Sequence, residues 1–200
     1  MAERGSSQFH AFTFRFGRRM PLRGFDVRAL MPEKDESPLI CRRLEAAFAL
    51  LERYAPFRLE MFRRDIQRIW VTGISSRGAF VRDHAMCLLN FDFMTDESTR
   101  DAEIALTMVH EGTHARLARA GFGYDEQVRP RVERLCFGSE LVVARRLPLA
   151  EDLVDETLKC LAWDDAAWSS EAIRERTMAA LKDLGWPGKL GYWIGHALRF

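Results

Sequence analysis

Two of the five histidines in this 200-residue chain stand four apart in the segment Thr107-Met108-Val109-His110-Glu111-Gly112-Thr113-His114-Ala115-Arg116. On an α-helix, positions i and i+4 lie one turn apart on the same face, so both imidazoles can reach one metal ion at about 2.0–2.1 Å. Glu111 is angled toward the space where a water held by that metal would sit. There a carboxylate can take the water's proton as the oxygen attacks a carbonyl. With 5 histidines and 16 glutamates in the chain, this His-Glu-x-x-His pattern arises by chance on the order of once in a hundred such sequences. Gly112 and Thr113 lower helix propensity, whereas Ile104, Ala105, Met108, Val109 and Ala115 supply apolar neighbours that would anchor the helix in a core.

A catalytic zinc usually takes three protein ligands and keeps one position open. Glu133 stands 19 positions after His114, on the next expected helix. In this respect the chain resembles the gluzincin metallopeptidases, in which a glutamate from a following helix reaches the zinc. The resemblance rests on His110, Glu111, His114 and Glu133 and covers a core from about Ile66 to Leu147. It implies zinc held by His110, His114 and Glu133, with Glu111 as general base in peptide hydrolysis. Glu140 is the rival third ligand. It lies seven positions on, about 10 Å further along the same helix face, so only one of the two can coordinate; otherwise Glu140 is a hydrogen-bond acceptor for a histidine ring N–H or a solvated carboxylate. The stretch from Glu133 to Leu141 followed by Pro148 also has a looser similarity to the ImmA/IrrE metallopeptidases, without the alanine and asparagine expected after the glutamate.

Some gluzincins carry an aspartate about a turn after the zinc glutamate to orient the first histidine. Cys136 and Phe137 hold those positions here; a place near the metal is open to Cys136, and it reads by preference as a small buried hydrophobe. The developing oxyanion needs a donor besides the metal, and Tyr124, Arg131, Tyr192 and His196 are the candidates. Tyr192 and His196 share a face of the last expected helix at i, i+4. His10 and His84 have no partner at ligand spacing and read as structural. The resemblance further implies that the strand before the active-site helix, Ala85 to Phe93, is the edge strand to which an extended substrate adds.

These residues need a scaffold. Ser37-Pro38 reads as a helix start, and Ile40, Leu44, Phe48 and Leu51 recur at helical spacing up to Tyr54. Runs at Ile66–Val71, Ala79–Val81 and Ala85–Phe93 predict a small mixed or antiparallel sheet. In the last run Cys87, Leu89, Phe91 and Phe93 alternate with Leu88, Asn90 and Asp92, the pattern of a strand with one wet side. Ser98, with Asp101 three positions on, predicts the N-cap of the motif helix, and Gly121 its end. Further helices are expected from Pro130 to about Arg146, and around 150–163, 170–184 and 189–198. Near the N-terminus Phe12, Phe14 and Phe16 alternate with Thr13 and Arg15, which predicts a half-buried strand, and the arginines around it read as a solvated face.

Composition agrees with a folded α+β domain. Hydrophobic residues make up 48% and charged residues 30%, and the formal charge is +1, although 26 of the 30 basic residues are arginine. Such a balance argues against a dedicated nucleic-acid binder. No apolar run approaches the roughly 20 residues a membrane helix needs, and no signal peptide is legible, so a soluble, cytoplasmic protein is expected. Cys41, Cys87, Cys136 and Cys160 are scattered without a CxxC pair and read as reduced thiols. The sequence thus predicts a single zincin-like domain over residues 1–200, with its core at about 37–147 and a helical C-terminal part, acting as a zinc-dependent peptidase on peptide or protein substrates. The alternative is a non-catalytic or latent binding module on the same fold.

Overall fold

Ile69, Trp70 and Val71 are consecutive and fully buried. Because successive side chains of a strand point to opposite faces, such a run requires a sheet covered on both sides. The computed structural model, which describes residues 8, 10–20, 22–30 and 36–183, places this run in β3 (Arg68–Thr72), at the centre of a five-stranded mixed sheet. Strands β2 (Asp26–Ala29) and β5 (Met86–Asn90) flank it in parallel. The short β1 (Arg18–Arg19) and β4 (Gly78–Val81) close the two edges antiparallel, in the order β1-β2-β3-β5-β4.

One face of the sheet presents Val27, Ala29, Ile69, Val71, Cys87 and Leu89 to the main core. Most of the helical side of that core comes from α1 (Glu36–Tyr54), α2 (Pro56–Asp65), the short α3 (Phe91–Thr95) and α4 (Asp101–Arg119), with Val143, Ala144 and Leu153 joining it from further along the chain. On the other face Trp70, Met86 and Leu88 form a smaller cluster with Phe14, whose ring meets Trp70 edge to face at 5.5 Å. Beyond α4 the chain continues through α5 (Arg129–Ala144), α6 (Glu151–Leu161) and α7 (Ser170–Asp183). The architecture is therefore mixed α+β and mainly helical after the sheet.

Helix α4 is buried on nearly every side, with Ile104 to Val109 unbroken inside the core. Its start is fixed by the Glu103 carboxylate, which accepts a hydrogen bond from the Arg100 backbone N–H at 2.9 Å. At its end Gly121, at φ 86°, donates its N–H to Ala118 (3.1 Å) and the Phe122 N–H reaches Leu117 (3.0 Å). These are the paired bonds of a left-handed helix stop that favours glycine. Midway along α4, Gly112 faces Phe62 of α2: a Cβ built there would stand 3.0 Å from the ring. The low helix propensity of that glycine is the cost of bringing α2 against the motif helix.

Several expectations are corrected. The alternating phenylalanines at 12–16 are not a strand: residues 10–14 are helical, with Phe14 buried and Phe12 and Phe16 exposed. Ser98 does not cap α4; its N–H and hydroxyl both bond the Asp96 carboxylate in the preceding turn, and Arg100 is the N-cap. The run Ala85–Phe93 is neither one strand nor half wet. Met86 to Leu89 are all buried in β5, and from Phe91 the chain is helical because the Asn90 side chain accepts from the Phe93 N–H at 2.7 Å. The expected helix at 189–198 lies outside the described residues. Among the described residues all four cysteines are free thiols and no helix is long and apolar enough to cross a membrane.

Gly112→Val, which puts two methyl groups where the Phe62 ring already stands, is expected to lower the unfolding free energy by about 1–3 kcal/mol. Urea denaturation checks this, and an unchanged midpoint contradicts the close approach of α2 and α4.

Candidate metal centre

Helices α4 and α5 pack with the motif between them. The His110 and His114 Nε2 atoms lie 3.1 Å apart. The Glu133 carboxylate of α5 approaches both, at 3.3 Å from His110 Nε2 and 3.4 Å from His114 Nε2. In a tetrahedral site with bonds of about 2.0–2.1 Å, neighbouring ligand atoms stand about 3.3 Å apart. The three separations are close to that edge, with Glu133 meeting His110 through Oε2 and His114 through Oε1, so the two imidazoles and the carboxylate converge closely enough for a zinc-sized cation. The centre is not sealed: the two imidazoles retain 13% and 14% of their side-chain exposure.

Glu133 and Glu140 divide the His110 imidazole between them. Glu133 meets Nε2, while Glu140 is hydrogen-bonded to Nδ1. The two ring nitrogens point in divergent directions, which lets one imidazole address carboxylates two helical turns apart. Glu140 thus orients His110 through its ring nitrogen, one of the roles the sequence offered it, while Phe137, where an aspartate was missing, packs edge-on against His110 at 4.8 Å. Tyr124, from the link between α4 and α5, stands edge-on to His114 at 5.3 Å and donates its hydroxyl to Glu133. Its placement was not legible from spacing alone.

Cys136 is also close. One ligand atom each from His110, His114 and Cys136 lie within 4.8 Å of one another, a group able to hold a metal ion. Cys136 is buried, as the sequence reading preferred, and it also lies near the histidines, the other place that reading allowed it. The signal was present: Cys136 follows Glu133 by three positions, hence on the same helix face.

Glu111 lies against β4. A Cβ on Gly78, the first residue of β4, would stand 3.0 Å from Glu111 Oε1 and 2.7 Å from Thr107 Cγ2, so only glycine lets the strand lie this close to the motif helix. Of the remaining candidates, Arg131 is exposed on α5, and His84 sits in the 3-10 turn before β5. Tyr192 and His196 lie outside the described residues.

Burial and crowding set the protonation of the cluster. Burial opposes charge on His110, yet the Glu140 carboxylate and hydrogen bonds to both glutamates outweigh it and hold the imidazole well above its ordinary pKa. Burial and the charge on His110 push His114 down to about 4. Glu111, desolvated and facing Glu133 and Glu140, is pushed up to about 8 despite the attraction of His110. Glu133 falls to about 2, because its bonds to His110 and Tyr124 and the nearby imidazoles overcome burial. Burial and three carboxylates drive the Cys136 thiol upward.

No protein-family model matches this chain, and no curated protein or solved structure matches it either.

A ligand must be deprotonated to bind metal. With its pKa raised, His110 carries a proton at neutral pH in the metal-free protein, so zinc uptake should expel protons and tighten as pH rises. Calorimetry in buffers of different ionisation enthalpy checks this; metal uptake without proton release contradicts it. Glu140→Gln, which removes the charge behind Nδ1, should weaken zinc binding by about 10–100-fold, measured by chelator competition.

Proposed function

We propose that the protein is a zinc-dependent peptidase of gluzincin type on a zincin-like fold, with His110, His114 and Glu133 holding the metal. The observation that carries this reading is the convergence of the two imidazoles, 3.1 Å apart at Nε2, on the Glu133 carboxylate of the next helix, whose Oε2 stands 3.3 Å from His110 and whose Oε1 stands 3.4 Å from His114. Zinc bound there would polarise a carbonyl and lower the pKa of water toward about 7.

The chain's own groups supply the rest. Glu111 takes a proton from the attacking water and returns it to the departing nitrogen. Its raised pKa belongs to the chain alone, and a neighbouring divalent cation favours the carboxylate the base needs. Tyr124 is the donor for the developing oxyanion. Its ring lies against His114, its hydroxyl already reaches the ligand shell at Glu133, and residues 122–124 are irregular, with Gly121 and Gly123 on either side of Phe122.

The substrate strand is β4, not the expected Ala85–Phe93. In the described sheet β5 is paired on both sides, whereas β4 is an edge strand. Added alongside Gly78–Val81, an extended peptide makes main-chain hydrogen bonds with little regard for side chains. Gly78 lies directly on Glu111, so a chain aligned on β4 passes over the base.

Glu111→Gln should keep stoichiometric zinc by elemental analysis and lose peptide cleavage by about 10²–10⁴-fold. Wild-type protein that stays free of metal after zinc reconstitution ends this reading. Tyr124→Phe should lower kcat by about 10²-fold with KM little changed, in steady-state kinetics on the same peptide; an equal kcat removes Tyr124 from the reaction.

A further inference from the structure

Two imidazoles and one carboxylate leave one corner of a tetrahedron, and the next donor on the same face of α5 is a thiol. Cys136 sits one turn beyond Glu133 and is fully buried, and its sulfur lies within 4.8 Å of a ring nitrogen on each histidine. In a tetrahedral site with a zinc–sulfur bond of about 2.3 Å and a zinc–nitrogen bond of about 2.0–2.1 Å, sulfur and nitrogen stand about 3.6 Å apart. The remaining gap is of the size a χ1 rotation of cysteine closes. Thiolate is also the softest donor in the cluster and a preferred zinc ligand.

Building on the zinc reading above, we infer that Cys136 is an exchangeable fourth ligand that closes the open corner of the resting site, so that a peptide carbonyl has to displace its sulfur before it is cleaved. The thiol proton passes to solvent as the sulfur–metal bond forms, and the sulfur is reprotonated when the substrate oxygen takes its place. With four protein ligands the resting centre resembles a structural zinc site, and its protease chemistry is held in check from within.

X-ray absorption at the zinc edge on the zinc-loaded full chain tests this. The expected result is one sulfur scatterer at about 2.3 Å in the parent and none in Cys136→Ala, with zinc present in both and held at least 10-fold more weakly by the variant. At saturating zinc, Cys136→Ala should also cleave peptide several-fold faster than the parent; equal or slower cleavage overturns the restraint. A parent centre with nitrogen and oxygen scatterers only overturns the thiol ligand while leaving the zinc site standing. A parent that takes up no zinc overturns both. Should Cys136→Ala fail to fold, the parent loaded with cobalt(II) decides alone: a near-ultraviolet sulfur-to-cobalt charge-transfer band supports the ligand, and its absence rules it out.

Discussion

Three carboxylates and two imidazoles share the narrow gap between α4 and α5, and that concentration of charge is the constraint around which the rest of the molecule is arranged. Burying ionised groups is costly unless each finds a partner. The cluster meets part of that cost internally: Glu140 and Glu133 take the two nitrogens of His110, and Tyr124 donates to Glu133. What remains is the cost of burial, to which the neighbouring carboxylates add, and both push Glu111 and the Cys136 thiol upward. A bound cation would favour the charged forms of these groups. Binding to the folded chain alone would add its free energy to folding.

Such a cluster is useful only if its members cannot drift. Helix α4 is held by core contacts along its whole first half, by the α2 ring that Gly112 admits, and by fixed ends at Arg100 and Gly121. Helix α5 starts at Arg129-Pro130 and brings Glu133, Cys136 and Glu140 around with its turn. A centre built on two packed helices is more exact than one built on loops. Tyr124 comes instead from the irregular connection and is held by His114, Glu133 and Arg129.

The parts of this arrangement written locally were legible in the sequence. The two histidines and Glu111 follow from helical spacing, and the stop at Gly121 follows from the need for a left-handed residue. Glu133 was suggested by resemblance and comes to lie between both imidazoles. What failed was whatever depended on tertiary cover. The alternation of Phe12, Phe14 and Phe16 is also compatible with a helical turn, and only the presence of Trp70 shows that Phe14 alone is needed. The strand at Met86–Leu89 looked half wet because its second cover comes from residues more than seventy positions earlier. Cys136 shares the helix face of Glu133 and was legible to that extent, whereas Tyr124 reaches the centre from the connection between α4 and α5, which spacing within either helix does not encode.

The N-terminal arm has a consequence of its own. Through Phe14 it shields Trp70, Met86 and Leu88 on the side of the sheet facing away from α4. It is thus a backing plate rather than a removable plug. Clipping it away would bare a contiguous oily surface beside a short, sparsely paired strand, and would invite self-association. Whatever governs access to the centre, shedding this arm is a poor way to do it.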